Sequence, residues 1–135
     1  MMFASREAVV WSKLGGFLNF QFPSPAGRND RIIGLVRGTV KSLEHAESIH
    51  NGAIEKQVTA ARAAGIVSHD FYSRMGTPSS PETLEVLGVD VWMNGENMMK
   101  HYMSPEFQSS GLYSMFTSKS TSSTWIHPKG EWVEW

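Results

Sequence analysis

Apolar residues recur with two different periods along this chain, and the changeover is clearest in Leu84–Phe107, LEVLGVDVWMNGENMMKHYMSPEF. From Leu84 to Trp92 both alternating sets are apolar, through Leu84, Val86, Leu87, Val89, Val91 and Trp92. That pattern predicts a strand covered on both faces. Asn94 is a good N-cap, with Gly95 and Glu96 opening the first turn. Met98, Met99, Tyr102 and Met103 then recur at helical spacing. Ser104 and Pro105 restart the helix, Ser as cap and Pro at its first position.

The same two periods organise the rest. Arg31–Val40 predicts a first strand, with Ile32, Ile33, Leu35, Val36 and Val40, and with Gly34 and Gly38 inside it. Glycines in a strand mark a bulge or a close approach by another group. Ser42 caps a long helix to about Ala64, whose apolar side is Leu43, Ala46, His50, Ile54, Val58 and Ala61. Gly65 stops it. Ile66–Met75 alternates as a second strand, and Gly76–Glu82 turns the chain into the strand at Leu84. Gly111–Lys119 predicts a helical turn or two. Trp125–His127 closes the pattern as a fourth strand after the polar Ser118–Thr124, Pro128–Gly130 forms a turn, and Glu131–Trp135 is a short aromatic end.

Strand–helix–strand occurs twice. Two such halves fold as a ferredoxin-like α+β unit, a four-stranded antiparallel sheet with two helices on one face. Two helices cover only one face, yet the third strand is apolar on both. A second copy of the chain is the simplest cover, so the sequence predicts a homodimer. Residues 31–135 make this domain, and residues 1–30 are an N-terminal arm. In the arm Arg6–Leu18 predicts a short helix weakened by Gly15–Gly16, Phe20–Phe22 is equally compatible with extended chain, and Pro23–Asp30 is a loop. Trp11, Phe17, Phe20 and Phe22 should pack on the domain or on the partner.

Composition narrows the function classes. A chain of 135 residues suits one core. Net charge is −1 with no basic cluster, which points away from nucleic acid. The chain has no Cys, so thiolate chemistry and Cys-based metal centres are excluded. It carries neither a signal-peptide core nor a bilayer-spanning segment, and the expected location is cytoplasmic.

The candidate chemistry lies in three histidines: His50 on the first helix, His69 on the second strand and His101 on the second helix. A neutral imidazole near neutral pH can accept a proton from a phenol or an activated carbon. No two have close ligand spacing, and no metal is predicted. Asp70, Tyr72 and Arg74 share the opposite strand face, as a substrate-orienting patch or as a charge-paired surface.

The element order, with His101-Tyr-Met-Ser104-Pro105-Glu106-Phe107 after a strand ending Asp90-Val91-Trp92, resembles the antibiotic biosynthesis monooxygenase family of dimeric α+β barrels. Many members read His-x-x-Ser-Pro-x-Phe here, as His101, Ser104, Pro105 and Phe107 do. The resemblance implies a cofactor-independent monooxygenase acting on an aromatic polyketide-like or quinol substrate. It places the His101 position at the pocket, and imidazole chemistry then makes His101 the expected proton acceptor, with His50 or His69 orienting the substrate. Trp92, Met98, Tyr102, Phe107 and Phe71 are then the candidates for substrate contact. The first strand lacks the Asn, and the second helix the Trp, of family members acting on anthrones or haem. Gly111 stands near where haem-degrading members have an axial His, so no cofactor is expected. The same scaffold also suits a non-catalytic pocket for a small apolar ligand, or an isomerase or lyase.

Overall fold

The computed structural model describes residues 9–23, 31–75, 84–117, 119–127 and 131–135. The predicted turns at Gly76–Glu82 and Pro128–Gly130, and the ends of the arm, lie outside them. The elements are β1 (Trp11–Lys13), β2 (Phe20–Gln21), β3 (Ile32–Thr39), α1 (Leu43–Ala63), β4 (Ile66–Arg74), β5 (Glu85–Trp92), α2 (Gly95–Tyr102), α3 (Pro105–Gln108), a 3-10 turn (Leu112–Met115), β6 (Thr121–Ile126) and β7 (Val133–Glu134). The centre of the sheet runs β4–β5–β3–β6, with every pair antiparallel. This is the α+β ferredoxin-like sheet. It is extended by β7 beside β6, and by β1 and β2 on the edge of β4.

Local chemistry sets the helix ends. Ser42 accepts from His45 N–H, Asn94 from Asn97 N–H and Ser104 from Phe107 N–H, each satisfying a donor the first turn leaves open. Gly65 leaves α1 with φ +98°, a conformation that favours glycine. No bulge occurs in β3; Gly38 instead admits the Phe116 ring, which lies within 2.5 Å of where a Cβ would stand.

The sheet's two faces differ. Val86, Gly88 and Trp92 on β5 are buried under the helices, while Leu87, Val89 and Val91 on the other face are half-buried. Arg37 and Arg74 both pair with Glu85, and Lys13 pairs with Asp70 at 2.9 Å. Asp70 and Arg74 therefore sit in charge pairs. Among the described residues no helix is long and apolar enough to cross a membrane.

The arm departs from the helix expected at Arg6–Leu18. Trp11–Lys13 and Phe20–Gln21 are strands pairing with one edge of β4, opposite Arg74–Tyr72 and His69–Ser68. Between them Leu14–Asn19 loops out while β4 advances by only Phe71 and Asp70. Two backbone bonds continue the ladder past the loop, Leu14 N–H to Phe71 O and Phe22 N–H to Val67 O. Pairing to an open edge outcompetes a helix that Gly15–Gly16 already weakens. The excursion inserts Phe17, 3% exposed, into the core, stacked on Phe71 at 4.8 Å. The fourth strand starts at Thr121, because β3 offers its polar residues a full partner. The aromatic end pairs with it as β7.

Phe17→Ala should lower stability by about 3–5 kcal/mol, as loss of a buried ring does. Urea denaturation gives the value. A loss under about 1 kcal/mol would mean that the excursion does not belong to the core.

Candidate active site

Sheet register brings the polar groups together. His69 on β4 stands directly opposite Asp90 on β5, and Asp90 opposite Gly34 on β3. All three point to the helix-covered face. Asp90 is the single carboxylate of a strand otherwise made of apolar residues and glycine between Val86 and Trp92. Asp90 is half-buried, and a carboxylate drawn that far out of water is favoured by pairing and hydrogen bonding. His69 Nδ1 meets its Oδ1 at 2.5 Å, and the Tyr102 hydroxyl donates to its Oδ2 at 2.5 Å. Tyr102 in turn accepts from Trp92 Nε1 at 3.0 Å. That hydroxyl lies over Gly34, 3.6 Å from where a Cβ would be, an ordinary van der Waals contact.

On its other side the chain continues into α1. His69 Nε2 lies 2.7 Å from His50 Nε2, and His50 Nδ1 lies 2.9 Å from Asn51 Oδ1. Two imidazoles sharing a tetrahedral metal would hold their nitrogens about 3.3 Å apart, given bonds near 2.0–2.1 Å. The contact is therefore a hydrogen bond. Phe17 and Phe71 pack on His50, and Phe20 on His69. Burial pushes His50 down to about 4, the His69 charge adding to it and the Asn51 hydrogen bond opposing it. Burial also works against a charged His69. There the charge and hydrogen bond of Asp90, helped by Asp70, outweigh it and raise the ring above the ordinary histidine value. Burial and Asp90 hold the Tyr102 hydroxyl well above the usual tyrosine range, so it stays a donor.

A cavity of about 310 Å³ lies between this sheet face and the segment from α2 to the 3-10 turn. Of the residues expected at a pocket, His69, Phe71, Met98, Tyr102 and Phe107 line it. His50 touches His69 from behind. His101 and Trp92 line an adjoining void of about 30 Å³, which His69, Asp90 and Tyr102 also border. The His101 ring packs between Trp92 and Phe107, with centroids 5.4 Å from each, and burial lowers its pKa against the pull of Asp90. The structure thus joins His50 to His69 and sets His101 apart, on the outer side, where it also faces an open groove between α1 and α2.

Sequence reasoning passed over Asp90 and Asn51. Asp90 had a signal: a lone acid at an inward position of an apolar strand demands a partner. Asn51 had none, because the groups that orient its amide, Gly16 and Leu18, lie in the arm.

Stability should fall as the pH drops from 6.5 to about 4. The unfolded chain takes a proton on His50 in that window and the folded chain does not. The contribution is fully present above 6.5 and lost as the pH falls through about 4. His50→Gln removes this titration. Wild-type stability relative to the variant should therefore decline by about 3 kcal/mol across the window, at about 1.4 kcal/mol per pH unit. A difference that stays constant in denaturant titrations would place the titration elsewhere.

No family model matches the sequence, and no curated protein matches it. Solved structures do match its shape. Rv0793 from Mycobacterium tuberculosis aligns with a TM-score of 0.51 and 17% identity, covering 75% of this chain and 97% of its own. A mutant form of SnoaB, a cofactor-independent oxygenase from Streptomyces nogalater, aligns at 0.53 with 16% identity, covering 74% and 95%. A Nitrosomonas europaea protein provisionally described as an antibiotic biosynthesis monooxygenase aligns at 0.52 with 10% identity, covering 76% and 97%. At such identities the likeness is one of fold, and the chain has an antibiotic-biosynthesis-monooxygenase-like fold.

Proposed function

We propose that the protein is a cofactor-independent monooxygenase for a small aromatic, phenolic or quinol-type molecule, with Asp90 as the proton acceptor and His69 as its cationic support. The observation that carries this reading is the Asp90 carboxylate on the wall of an apolar cavity, held between His69 and Tyr102. Both ring nitrogens of His69 and of His50 are engaged inside the network. Asp90 retains lone pairs beyond the two bonds it accepts.

The chemistry follows from charge. A proton leaving an activated methylene or a hydroxyl passes to Asp90. The His69 imidazolium then lacks its counter-charge and stabilises the substrate anion, strongly so in an apolar site. The electron-rich anion gives an electron to molecular oxygen, and the two radicals combine at carbon. Loss of water from the resulting peroxide leaves a carbonyl. In balance, one methylene and one dioxygen become one ketone carbonyl and one water. Met98, Phe71 and Phe107 supply apolar walls for a ring system.

A second reading is a binding pocket without turnover, favoured by the internal satisfaction of each His–Asp–Tyr bond. An isomerase or lyase would use the same Asp90 without consuming oxygen. The open sheet face carries Leu87, Val89 and Val91, and we propose that a second copy covers it. Sedimentation should show a dimer at micromolar concentration, with an interface on the order of 2,000 Å². A stable monomer would reject it.

Oxygen uptake with anthrones and dihydroquinones tests the activity. Asp90→Asn should lower turnover by about 100-fold or more, and His101→Gln should leave it within a few-fold. The reverse pattern would move the base to His101. A thermal shift with no oxygen consumed would favour the binding pocket.

A further inference from the structure

Asn51 sits beside the histidine chain on an exposed turn of α1, and its amide has a defined orientation. Its Oδ1 accepts from the Leu18 backbone N–H at 2.9 Å. Its Nδ2 donates to the Gly16 carbonyl at 3.0 Å. A backbone N–H can only donate and a carbonyl can only accept, so the amide cannot be turned round. The atom facing His50 Nδ1 is therefore an oxygen with no proton to give.

The consequences run inward one bond at a time. His50 has to carry its proton on Nδ1. Neutral His50 then presents a bare Nε2 to His69, 2.7 Å away. His69 fills that bond by donating from its own Nε2. Its Nδ1 faces Asp90 Oδ1 at 2.5 Å, while Oδ2 accepts from Tyr102. With Asp90 as a carboxylate, His69 carries a proton on each nitrogen. Removing the Nε2 proton would bring two lone pairs face to face in a buried site, with the desolvation cost of unpaired polar atoms.

We propose that Asn51 is a positioning residue which, clamped by the backbone of the Leu14–Asn19 excursion, fixes the His50 tautomer and thereby keeps His69 an imidazolium beside Asp90. This rests on the reading of Asp90 and His69 as the reactive pair. It assigns the arm's backbone a part in the chemistry, through the Gly16 carbonyl and the Leu18 N–H. The excursion supplies one donor and one acceptor, and three hydrogen bonds carry that constraint to Asp90. Among the described residues, the charged and titratable groups around the chain are Asp90 and Asp70 on the sheet, His101 and Tyr102 on α2, Tyr113 on the 3-10 turn, and Glu47 of α1 against Gly16. None of them donates to His50 Nε2 in place of His69.

Side-chain 15N spectra of the histidines test this without substrate. In the full-length wild-type protein near pH 7, His50 should be protonated on Nδ1 alone and His69 on both nitrogens. In Asn51→Leu the acceptor is gone. His50 should move its proton to Nε2 and donate to His69, which becomes neutral, its titration midpoint falling by at least one pH unit. Asn51→Asp retains an acceptor toward His50 and Leu18 N–H, and should keep the His50 proton on Nδ1 even where Asn51→Leu folds poorly. A wild-type His69 with one proton, an unchanged His50 tautomer in Asn51→Leu, or a switched tautomer in Asn51→Asp would each overturn the proposal. Oxygen uptake separates the two levels. Wild-type spectra as expected with no turnover would sink the oxygenase reading and leave the tautomer lock standing. With turnover, the upper limb of the Asn51→Leu pH–rate profile should move down by at least one pH unit. An unmoved limb would count against a role in the chemistry.

Discussion

A carboxylate on the inner face of a buried strand has to find a cationic partner, and the pairing of Asp90 with His69 is how this fold meets that demand. Antiparallel register puts the two residues directly opposite each other on β5 and β4. The remaining polar contacts follow from that pair. His69 has a second nitrogen to satisfy, and His50 meets it from α1. Asp90 has a second oxygen, and Tyr102 meets it from α2. α1 is thus tied to the sheet by one bond of this chain and α2 by the two that Tyr102 makes to Asp90 and Trp92, in addition to their apolar packing. Removing one member strands the next, since a buried polar group without its partner costs about 1–3 kcal/mol or more.

The edge of β4 shows how a solvable structural problem acquires a second consequence. An open strand edge invites pairing with other chains. Here β1 and β2 cover it, but the six residues between them are too many for the two they oppose. The surplus bulges toward the core, where Phe17 stacks on Phe71 and against His50. The same bulge turns the Gly16 carbonyl and Leu18 N–H toward Asn51. Edge protection, core filling and the orientation of a buried proton chain are one piece of backbone.

The scaffold by itself does not choose a reaction. What distinguishes this site is a mostly apolar cavity with one acidic wall. In the proposed mechanism the imidazolium–carboxylate pair is neutral until a proton arrives on Asp90, when it becomes a fixed cation next to a nascent anion. On the function proposed above, the site would bind an uncharged aromatic molecule and favour its ionised form, which is differential stabilisation of the kind catalysis requires.

Much of the fold was legible from the residues alone. The period change at Trp92–Asn94, the caps Ser42, Asn94 and Ser104, and the stop at Gly65 are local chemistry, and each stands where the pattern places it. Met98 and Tyr102 were legible on the apolar arc of their helix, Phe107 through the family resemblance, and His69 and Phe71 as residues of one strand face. The strands of the arm were not, because an edge strand of two or three residues is defined by the partner it pairs with. Nor was the chain Asn51–His50–His69–Asp90–Tyr102. Its members come from α1, β4, β5 and α2, and which donor meets which acceptor depends on strand register and on a backbone excursion far away in sequence. Periodicity and capping act over a few residues, so the sequence determines them by itself. Hydrogen-bond partners between elements are set only when the elements pack, and that was decided by the tertiary structure.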